Sequence, residues 1–293
     1  MSVQDFTYNG DSLEVNDEMK SSFDENGYVI IRNLLNKDEI NKIEKTILEG
    51  GLLKHAYKIP DKDGRSPIIA LWQHPGHDVT GMMTRCERVV TTAEKLLGVE
   101  ELYHYHAKVL IKEPEVGGKF EWHQDYGYWY NYCLRPDMMA VFVAVDECTQ
   151  ENGGLMVLRG THKCGRIDHG KTGGQQGADM DRVELMKKYY TLDNVDLNPG
   201  DVLFFHSNLL HGSGQNNSKK RRIAINVSYN EKSNSPVKPD ICPVYTKLEK
   251  VPDTAILECK NYTDFTGKNF IERGEDKQVD FADQTQSYNV YDK

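Results

Sequence analysis

The chain lacks an excess of basic residues, which argues against nucleic acid or anionic membrane as its main partner. Its 293 residues include 36 Lys and Arg against 45 Asp and Glu, giving a formal net charge of -9 and a pI near 5.6. Nucleic acids and anionic lipids attract proteins through positive charge. We therefore expect a small-molecule substrate, no nucleic-acid or membrane partner, and a monomer or homodimer.

Long apolar runs and paired cysteines are also missing. No stretch approaches the roughly 18 apolar residues of a membrane span, and the polar, acidic N-terminus contains no apolar segment of the secretory type. The six cysteines are scattered, without a CxxC pair, so we expect reduced and mostly packed thiols. Together these absences predict a cytoplasmic protein.

No internal repeat or low-complexity linker divides the chain. A length of 293 residues with 38% hydrophobic residues suits one large domain with an ample core. We expect a single domain over residues 1–293, with its core at roughly 23–230 and a polar C-terminal extension at 231–293.

Helical patterns at the front of the chain give way to β patterns further on. Residues 16–27 predict a short helix that ends at Gly27, and Asn36 with Glu39 forms a capping-box start for a second helix. Residues 52–84 are irregular and predict a long loop or lid. Predicted strands follow at residues 102–111, 138–145, 154–158, 202–205 and 222–229. Helices followed by many short strands indicate a mostly β sandwich or open barrel with flanking helices.

A His and an Asp two residues apart, His123 and Asp125, form a candidate metal-binding pair. On a β-strand these side chains would share one face, with Gln124 pointing to the other. A third ligand could come from His206 or His211, since both follow the turn at residues 199–201 and spacing alone does not choose between them. Two His and one carboxylate suit non-haem Fe(II), although zinc accepts the same ligands.

Arg222 follows His211 by eleven residues and begins an alternating segment. A buried Arg at this point could form a two-pronged ion pair with a carboxylate. Its strand face would include Ala224 and Asn226, whereas Arg221 would point oppositely, to solvent. The alternative is that Arg222 is a surface cation in the basic run at residues 219–222.

An ordered set of motifs resembles the phytanoyl-CoA dioxygenase family over roughly residues 23–230. The set comprises His123-x-Asp125, Glu-Asn-Gly-Gly-Leu at 151–155, Leu-Arg-Gly-Thr-His at 158–162, Pro-Gly-Asp at 199–201, His-Gly-Ser-Gly-Gln-Asn at 211–216 and Arg222-x-Ala224. The resemblance implies a double-stranded β-helix (a cupin-like jelly roll). It also implies an oxygenase that uses Fe(II), with 2-oxoglutarate and O2 as cosubstrates.

Matching positions acquire expected roles from this resemblance. It implies that iron is bound by His123, Asp125 and His211, which favours His211 over His206. The far carboxylate of 2-oxoglutarate would meet Arg222 with help from Ser213. Further cosubstrate contacts would come from Lys108, Phe142 and His106.

An aromatic-rich segment at residues 126–132 directly follows the first two ligands. Amphipathic aromatic residues are typical of a pocket rim, although they also pack in cores. The candidates for the substrate pocket are Tyr126, Tyr128, Trp129, Trp72, His77 and Arg159. Similar sequences with a His-Gln-Asp-Tyr core include hydroxylases of free amino acids, which favours a small polar substrate such as an amino acid or a derived metabolite. The alternatives are a fatty acyl-CoA hydroxylase of the same family, a zinc-dependent hydrolase and a non-catalytic metal-binding protein.

Overall fold

The computed structural model describes residues 5–10, 13–172, 175–238 and 245–271. Cys242 and the end of the expected C-terminal extension, residues 272–293, lie outside the described residues. The α-helices of the described chain are α1 (Asp17–Asn26), α2 (Lys37–Glu49), α3 (Val79–Arg85), α4 (Glu87–Leu97), α5 (Asp125–Trp129), α6 (Met180–Met186) and α7 (Ala255–Glu258). Short 3-10 helices occupy Leu52–His55 and Thr161–Cys164.

The strands are short and concentrate after residue 100. They are β1 (Asp5–Thr7), β2 (Tyr28–Arg32), β3 (Tyr57–Lys58), β4 (Ile68–Trp72), β5 (Leu102–Lys112), β6 (Phe120–His123), β7 (Met138–Ala144), β8 (Leu155–Leu158), β9 (His169–Thr172), β10 (Gln175–Ala178), β11 (Leu192–Val195), β12 (Val202–His206), β13 (His211–Ser213), β14 (Arg222–Glu231), β15 (Thr246–Lys247) and β16 (Phe270–Ile271). Within the described residues, none of the helices combines the length and apolar character needed to cross a membrane.

Local signals determine the first two helices, and the predictions for both are confirmed. The Asn16 side chain accepts a hydrogen bond from the Met19 amide, and α1 ends at Gly27 with φ of 81°, a left-handed conformation that glycine adopts without strain. At α2, Asn36 and Glu39 form the reciprocal capping box. These contacts satisfy amide donors that have no partner within the helix.

Two facing sheets form the body of the molecule. The larger sheet has the order β1-β2-β12-β7-β14-β5-β4-β16, with β15 beside β5 and β3 beside β4, and the smaller one has the order β11-β8-β13-β6. The central strands β7 and β14 are buried along almost their whole length. This two-sheet arrangement is the expected jelly roll backed by helices.

Alternating side chains of the larger sheet supply two separate cores. Val141 and Ile225 face the helices and share a core with residues of α1 to α4. Phe142 and Ala224 face the smaller sheet, where they meet Val157. Because strand side chains alternate, the inner face of β14 also carries Arg222 and Asn226, so the fold directs these polar groups between the sheets.

Two regions differ from the expectations. The predicted loop at residues 52–84 contains β3, β4 and α3, and β4 pairs with β5 along its whole length. The expected polar extension supplies β15 and β16, which pair with β5 and β4 of the larger sheet. Short strands of this kind owe their conformation to distant partners, and such pairing leaves little periodic signal in a sequence.

Candidate metal and cosubstrate site

The backbone changes from strand to helix between His123 and Asp125. His123 is the last residue of β6, and Asp125 is the first residue of α5, so the expectation that both lie on one strand is wrong. Gln124 does point away from them, as expected, because its side-chain amide donates to the carbonyls of Gly165 at 2.9 Å and Asn208 at 2.8 Å. These bonds fix the backbone between the two candidate ligands.

The third candidate ligand comes from the neighbouring strand of the smaller sheet. His211 opens β13 and lies directly opposite His123 in the antiparallel register, with ring centroids 4.1 Å apart. Ligand atoms of His123, Asp125 and His211 all lie within 4.8 Å of one another, and all three residues are buried. The fold therefore forms a compact triad from residues 88 positions apart (211 − 123).

The hydrogen bonds of the two histidines leave the Nε2 atom of each ring available to a metal. His123 Nδ1 donates to the Glu121 carbonyl at 2.7 Å, and His211 Nδ1 donates to the Leu209 carbonyl at 2.9 Å. Since a carbonyl only accepts, both Nε2 atoms are unprotonated in the neutral rings. Burial lowers the pKa of both imidazoles, which favours this neutral form.

Asp125 completes the donor set with one oxygen that has no protein partner. Its Oδ2 atom is buried and has no hydrogen bond within the described chain, whereas Oδ1 lies 3.8 Å from His123 Nε2. A buried carboxylate oxygen without a partner is costly unless a cation or donor meets it. The triad therefore fits a divalent metal bound by two histidines and one carboxylate.

His206, the alternative ligand, belongs to a different cluster. It ends β12, where its Nδ1 accepts a hydrogen bond from the Asn208 amide at 3.0 Å. Its ring packs near those of Phe23 and His162, at centroid distances of 6.5 Å and 5.5 Å. The structure thus brings His211 rather than His206 to the other two candidate ligands.

Arg222 is buried beside the triad, and most of its N–H donors have no partner in the described chain. Its Nη2 donates to the Gly153 carbonyl at 3.1 Å, while Nε and Nη1 have no hydrogen-bond partner in the described chain. A guanidinium N–H without another partner is a charged donor suited to a carboxylate oxygen. Arg221, in contrast, is partly exposed to solvent and ion-paired with Asp146 and Glu44.

One cavity of about 420 Å³ joins Arg222 to the triad. Its lining includes the other expected cosubstrate contacts apart from His106, namely Ser213, Lys108 and Phe142, together with Asn226. The Arg222 guanidinium lies 5.9 Å from the centroid of the Phe142 ring, and Asn226 Oδ1 has no hydrogen-bond partner in the described residues. A dicarboxylate spanning this cavity would reach both the metal triad and Arg222.

Lys112 is a functional candidate that the sequence did not reveal. It lies opposite Arg222 in the β5–β14 register and is fully buried. Its ammonium group donates to Ser213 Oγ at 2.7 Å and to the Gly153 carbonyl at 3.1 Å. The available signal was its spacing of four residues from Lys108, which places both on one face of a strand.

A second cavity of about 520 Å³ adjoins the first and shares Lys108, Phe120 and His123 with it. Tyr128 lines this cavity, with its ring centroid 5.2 Å from that of His123 and its hydroxyl donating to the Gln176 carbonyl at 3.0 Å. Of the six residues expected in the substrate pocket, Tyr128 is thus the one that the structure places next to the triad.

Three expected pocket residues lie elsewhere. Trp72 is completely buried in the helix-facing core, where the ammonium group of Lys268 lies 4.4 Å from its ring. His77 lines a separate cavity. Arg159 makes a two-pronged ion pair with Asp193, at 2.6 and 2.7 Å. Strand pairing and ion pairing account for Trp72 and Arg159, so neither is needed as a pocket wall.

Three further candidates pack behind the site. The Tyr126 hydroxyl donates to the Cys133 carbonyl at 3.0 Å. The Trp129 ring packs on that of Tyr105, with centroids 5.1 Å apart. His106 lies against Trp129 and forms a 3.3 Å hydrogen bond with Ser228. Tyr126 and Trp129 of α5 and His106 of β5 therefore contribute to core packing rather than to the described lining of the two cavities.

Comparisons with known proteins agree with this geometry. Residues 23–224 match the family model described as phytanoyl-CoA dioxygenase (PhyH). The chain is 26% identical over 255 residues to L-proline trans-4-hydroxylase of Streptomyces griseoviridis, covering 80% of this chain and 94% of that protein. It is 27% identical over 241 residues to ectoine dioxygenase of Sphingopyxis alaskensis, covering 75% and 77%.

Solved structures show the same fold. EctD from S. alaskensis with bound Fe superimposes with a TM-score of 0.67 at 21% identity, over 85% of this chain and 92% of that one. The carbocyclase SnoK from nogalamycin biosynthesis gives a TM-score of 0.63 at 19% identity, over 87% and 95%. The expected cupin-like double-stranded β-helix is therefore confirmed.

Proposed function

The chain belongs to the phytanoyl-CoA dioxygenase family, and we propose that its buried triad and Arg222 cavity oxidise an unactivated C–H bond of a small polar molecule. The enzyme is a 2-oxoglutarate-dependent oxygenase that uses iron, 2-oxoglutarate and O2. In hydroxylation, one oxygen atom enters the product and the other enters succinate, with release of CO2. Desaturation and oxidative cyclisation are the related outcomes of the same chemistry.

We assign the iron to His123, Asp125 and His211, which would supply two imidazole nitrogens and one carboxylate oxygen. When bound, the iron would supply the means of activating O2 for attack on a C–H bond. The protein's part is to hold the ligands in position. The Glu121 and Leu209 carbonyls do this by fixing the tautomer of each histidine.

The observation that carries the proposal is a buried Arg222, in the same cavity as the triad, whose Nε and Nη1 atoms have no hydrogen-bond partner in the described chain. We assign the free Arg222 donors to the far carboxylate of 2-oxoglutarate, with Ser213 as a further donor. Lys108 and Phe142 would contact the rest of the cosubstrate. Neither a zinc hydrolase nor a simple metal-binding protein accounts for a buried guanidinium with two nitrogens that lack a partner in the described residues.

A small polar substrate is supported by the relatives and by the cavity beside His123. The named relatives include a proline hydroxylase and ectoine dioxygenases. The adjoining cavity combines the polar side chains of Lys108 and Gln176 with an aliphatic wall, which is the mixed lining typical of small-molecule sites. We favour an amino acid or an amino-acid-derived metabolite over an acyl-CoA, whose phosphates would require a basic surface on an acidic protein.

The remaining expectations concern organisation and location. We propose one domain over residues 1–293, supported by the pairing of β15 and β16 with the larger sheet. A cytoplasmic location is supported by the five cysteines in the described chain, all of which are free thiols. A monomer or homodimer stays a prediction, which light scattering would check.

The function is tested by succinate formation. Apoprotein is reconstituted with Fe(II) or with Zn(II) and supplied with 2-oxoglutarate, O2 and a panel of amino acids and their derivatives. We expect succinate from the Fe(II) protein and none from the Zn(II) protein. The amount of succinate should rise with one class of substrate and should equal the amount of oxidised product measured by mass spectrometry. Turnover of a hydrolysable substrate with Zn(II), and no succinate with Fe(II), would overturn the proposal.

A further inference from the structure

A β-hairpin forms one wall of the second cavity. Strands β9 and β10 pair in antiparallel register, and β10 is held against β6 by Gln175. The Gln175 side chain accepts from the Glu121 amide at 3.2 Å and donates to the Lys119 carbonyl at 3.0 Å. At the hairpin's other end, His169 Nε2 accepts from the Gln124 amide at 2.9 Å. These bonds hold the two strands against β6 and Gln124, beside the proposed metal ligands.

The neighbouring residue, Gln176, makes no such anchor with its side chain. Gln176 is 6% exposed, and its main-chain carbonyl accepts from the Tyr128 hydroxyl. Its side-chain Oε1 is buried without a hydrogen-bond partner in the described chain, although the residue lines the cavity. A buried amide oxygen without a partner is unfavourable, and a ligand that places a donor beside it removes this deficit.

The rest of the cavity lining has a definite chemical character. One wall is aliphatic, formed by Ile59, Ile69 and Leu71. Lys108 brings a positive charge, and the described lining of this cavity includes no Asp or Glu. A ligand here would therefore carry an apolar carbon body and an anionic group, with a hydrogen-bond donor close to that group.

We propose that Gln176 is the substrate-recognition residue and that the substrate is an α-amino or α-imino carboxylate with an apolar side chain. The adjacent N–H and carboxylate oxygen of such a molecule match the acceptor and donor of one glutamine amide. Lys108 lines both cavities, so it adds positive charge for the substrate carboxylate as well as contacting the cosubstrate, and the aliphatic wall receives the side chain. This inference rests on the proposed function, because it places the substrate beside the His123 edge of the metal triad.

The test measures ligand binding to protein loaded anaerobically with Fe(II) and 2-oxoglutarate, through changes in its visible spectrum. The probes are L-proline, L-valine and L-leucine, each compared with analogues that lack either the amine or the carboxylate. We expect at least one amino acid to bind, and its analogues to bind at least tenfold more weakly. Gln176→Leu should weaken the binding of the amino acid at least tenfold and leave the concentration of 2-oxoglutarate that the protein requires unchanged.

Gln175→Leu is the matched control, because it removes a hairpin anchor rather than a free amide. It should lower thermal stability and affect all ligands alike, whereas Gln176→Leu should preserve stability. Gln176→Glu is the second variant. It keeps a hydrogen-bond acceptor but repels the substrate carboxylate with a negative charge, so it should weaken the binding of amino acids further. If neither Gln176 variant folds, the analogue series on the wild-type protein still decides the substrate class.

Outcomes separate this inference from the function beneath it. If Fe(II) and 2-oxoglutarate produce no visible band in the wild-type protein, the proposed function itself fails. If the band forms but no amino acid perturbs it, or if the analogues bind equally well, the substrate class is wrong. Unchanged binding of the amino acid by Gln176→Leu would refute the role of Gln176.

Discussion

The ammonium group of Lys112 lies 2.7 Å from Ser213 Oγ and donates a hydrogen bond to it. Because the hydroxyl oxygen accepts this bond, the hydroxyl hydrogen is free to point into the cavity that Ser213 shares with Arg222. Lys112 also donates to the Gly153 carbonyl, which is the partner of Arg222 Nη2. One buried lysine therefore positions both donors that we assign to the far carboxylate of 2-oxoglutarate.

Lys112→Met should raise the KM for 2-oxoglutarate about tenfold, since one charge-assisted hydrogen bond contributes about 1.5–3 kcal/mol, with a smaller change in kcat. Ser213→Ala should have a similar effect, and the double variant should be little worse than either single variant if the two residues act together. Steady-state kinetics on all four proteins check this. Additive losses would mean that Lys112 does not act through Ser213.

Arg222→Ala should greatly raise the 2-oxoglutarate requirement without reducing iron content. The neighbouring Arg221 offers a matched control, because its guanidinium pairs with Asp146 and Glu44 outside the cavity. Arg221→Ala should reduce stability by no more than about 1 kcal/mol, as expected for a partly exposed ion pair, and leave the KM for 2-oxoglutarate unchanged. Equal effects of the two substitutions on that KM would contradict the assignment of Arg222.

His211→Ala should abolish stoichiometric Fe(II) binding, because it removes one of three ligands. His206→Ala removes a partly buried histidine five residues earlier but leaves the triad intact. Iron content after anaerobic loading and desalting distinguishes the two proteins. An iron-free His206 variant beside a loaded His211 variant would reverse the choice of ligand.

Lys268→Met should destabilise the fold by about 3–5 kcal/mol, the usual effect of leaving one member of a buried ion pair unpaired. Lys268 is fully buried, 3.0 Å from Asp78, and also donates to the Pro75 carbonyl at 2.6 Å. The double variant with Asp78→Asn should recover part of the loss. Urea unfolding measures both, and a loss below about 1 kcal/mol would show that this pair behaves like an exposed one.

Stability should fall as the pH is lowered from 6.5 towards 4. Burial lowers the pKa of His104 from 6.5 to about 3 and that of His206 to about 4. In this window the unfolded chain binds protons that the folded chain excludes, so each histidine reduces stability by up to about 1.4 kcal/mol per pH unit. The free energy of unfolding, measured by denaturation at pH 7 and at pH 5, should differ less between the two pH values for His206→Gln than for the wild type. An equal difference would remove His206 from this account.

Local chemistry made part of the fold predictable. The helix ends at Asn16, Gly27 and Asn36 are determined by residues within one helical turn, so these ends can be predicted from the local sequence. Strand β4 depends instead on β5, which lies some 40 residues away and supplies its hydrogen-bond partners. The β-propensity of its residues predicts such a strand poorly, because pairing with a distant strand determines its conformation.

The candidate site divides in the same way. Ordered motifs identified the triad and Arg222, since each lies in a recognisable run of residues. Lys112 was missed because its contact with Ser213 joins the larger sheet to the smaller one, and no local pattern in the sequence indicates that contact. The pocket candidates Trp72, Trp129 and Arg159 were plausible by composition, but their burial and pairing are decided by packing between segments distant in sequence.

The most direct test of the account is the visible spectrum of the protein under anaerobic conditions. Addition of 2-oxoglutarate to the Fe(II)-loaded protein should produce a weak charge-transfer band that is lost in Asp125→Ala and requires far more 2-oxoglutarate in Arg222→Ala. Fe(II)-loaded protein that binds 2-oxoglutarate without such a band, or a band that survives the loss of Asp125, would contradict the assignment of iron and cosubstrate to this site.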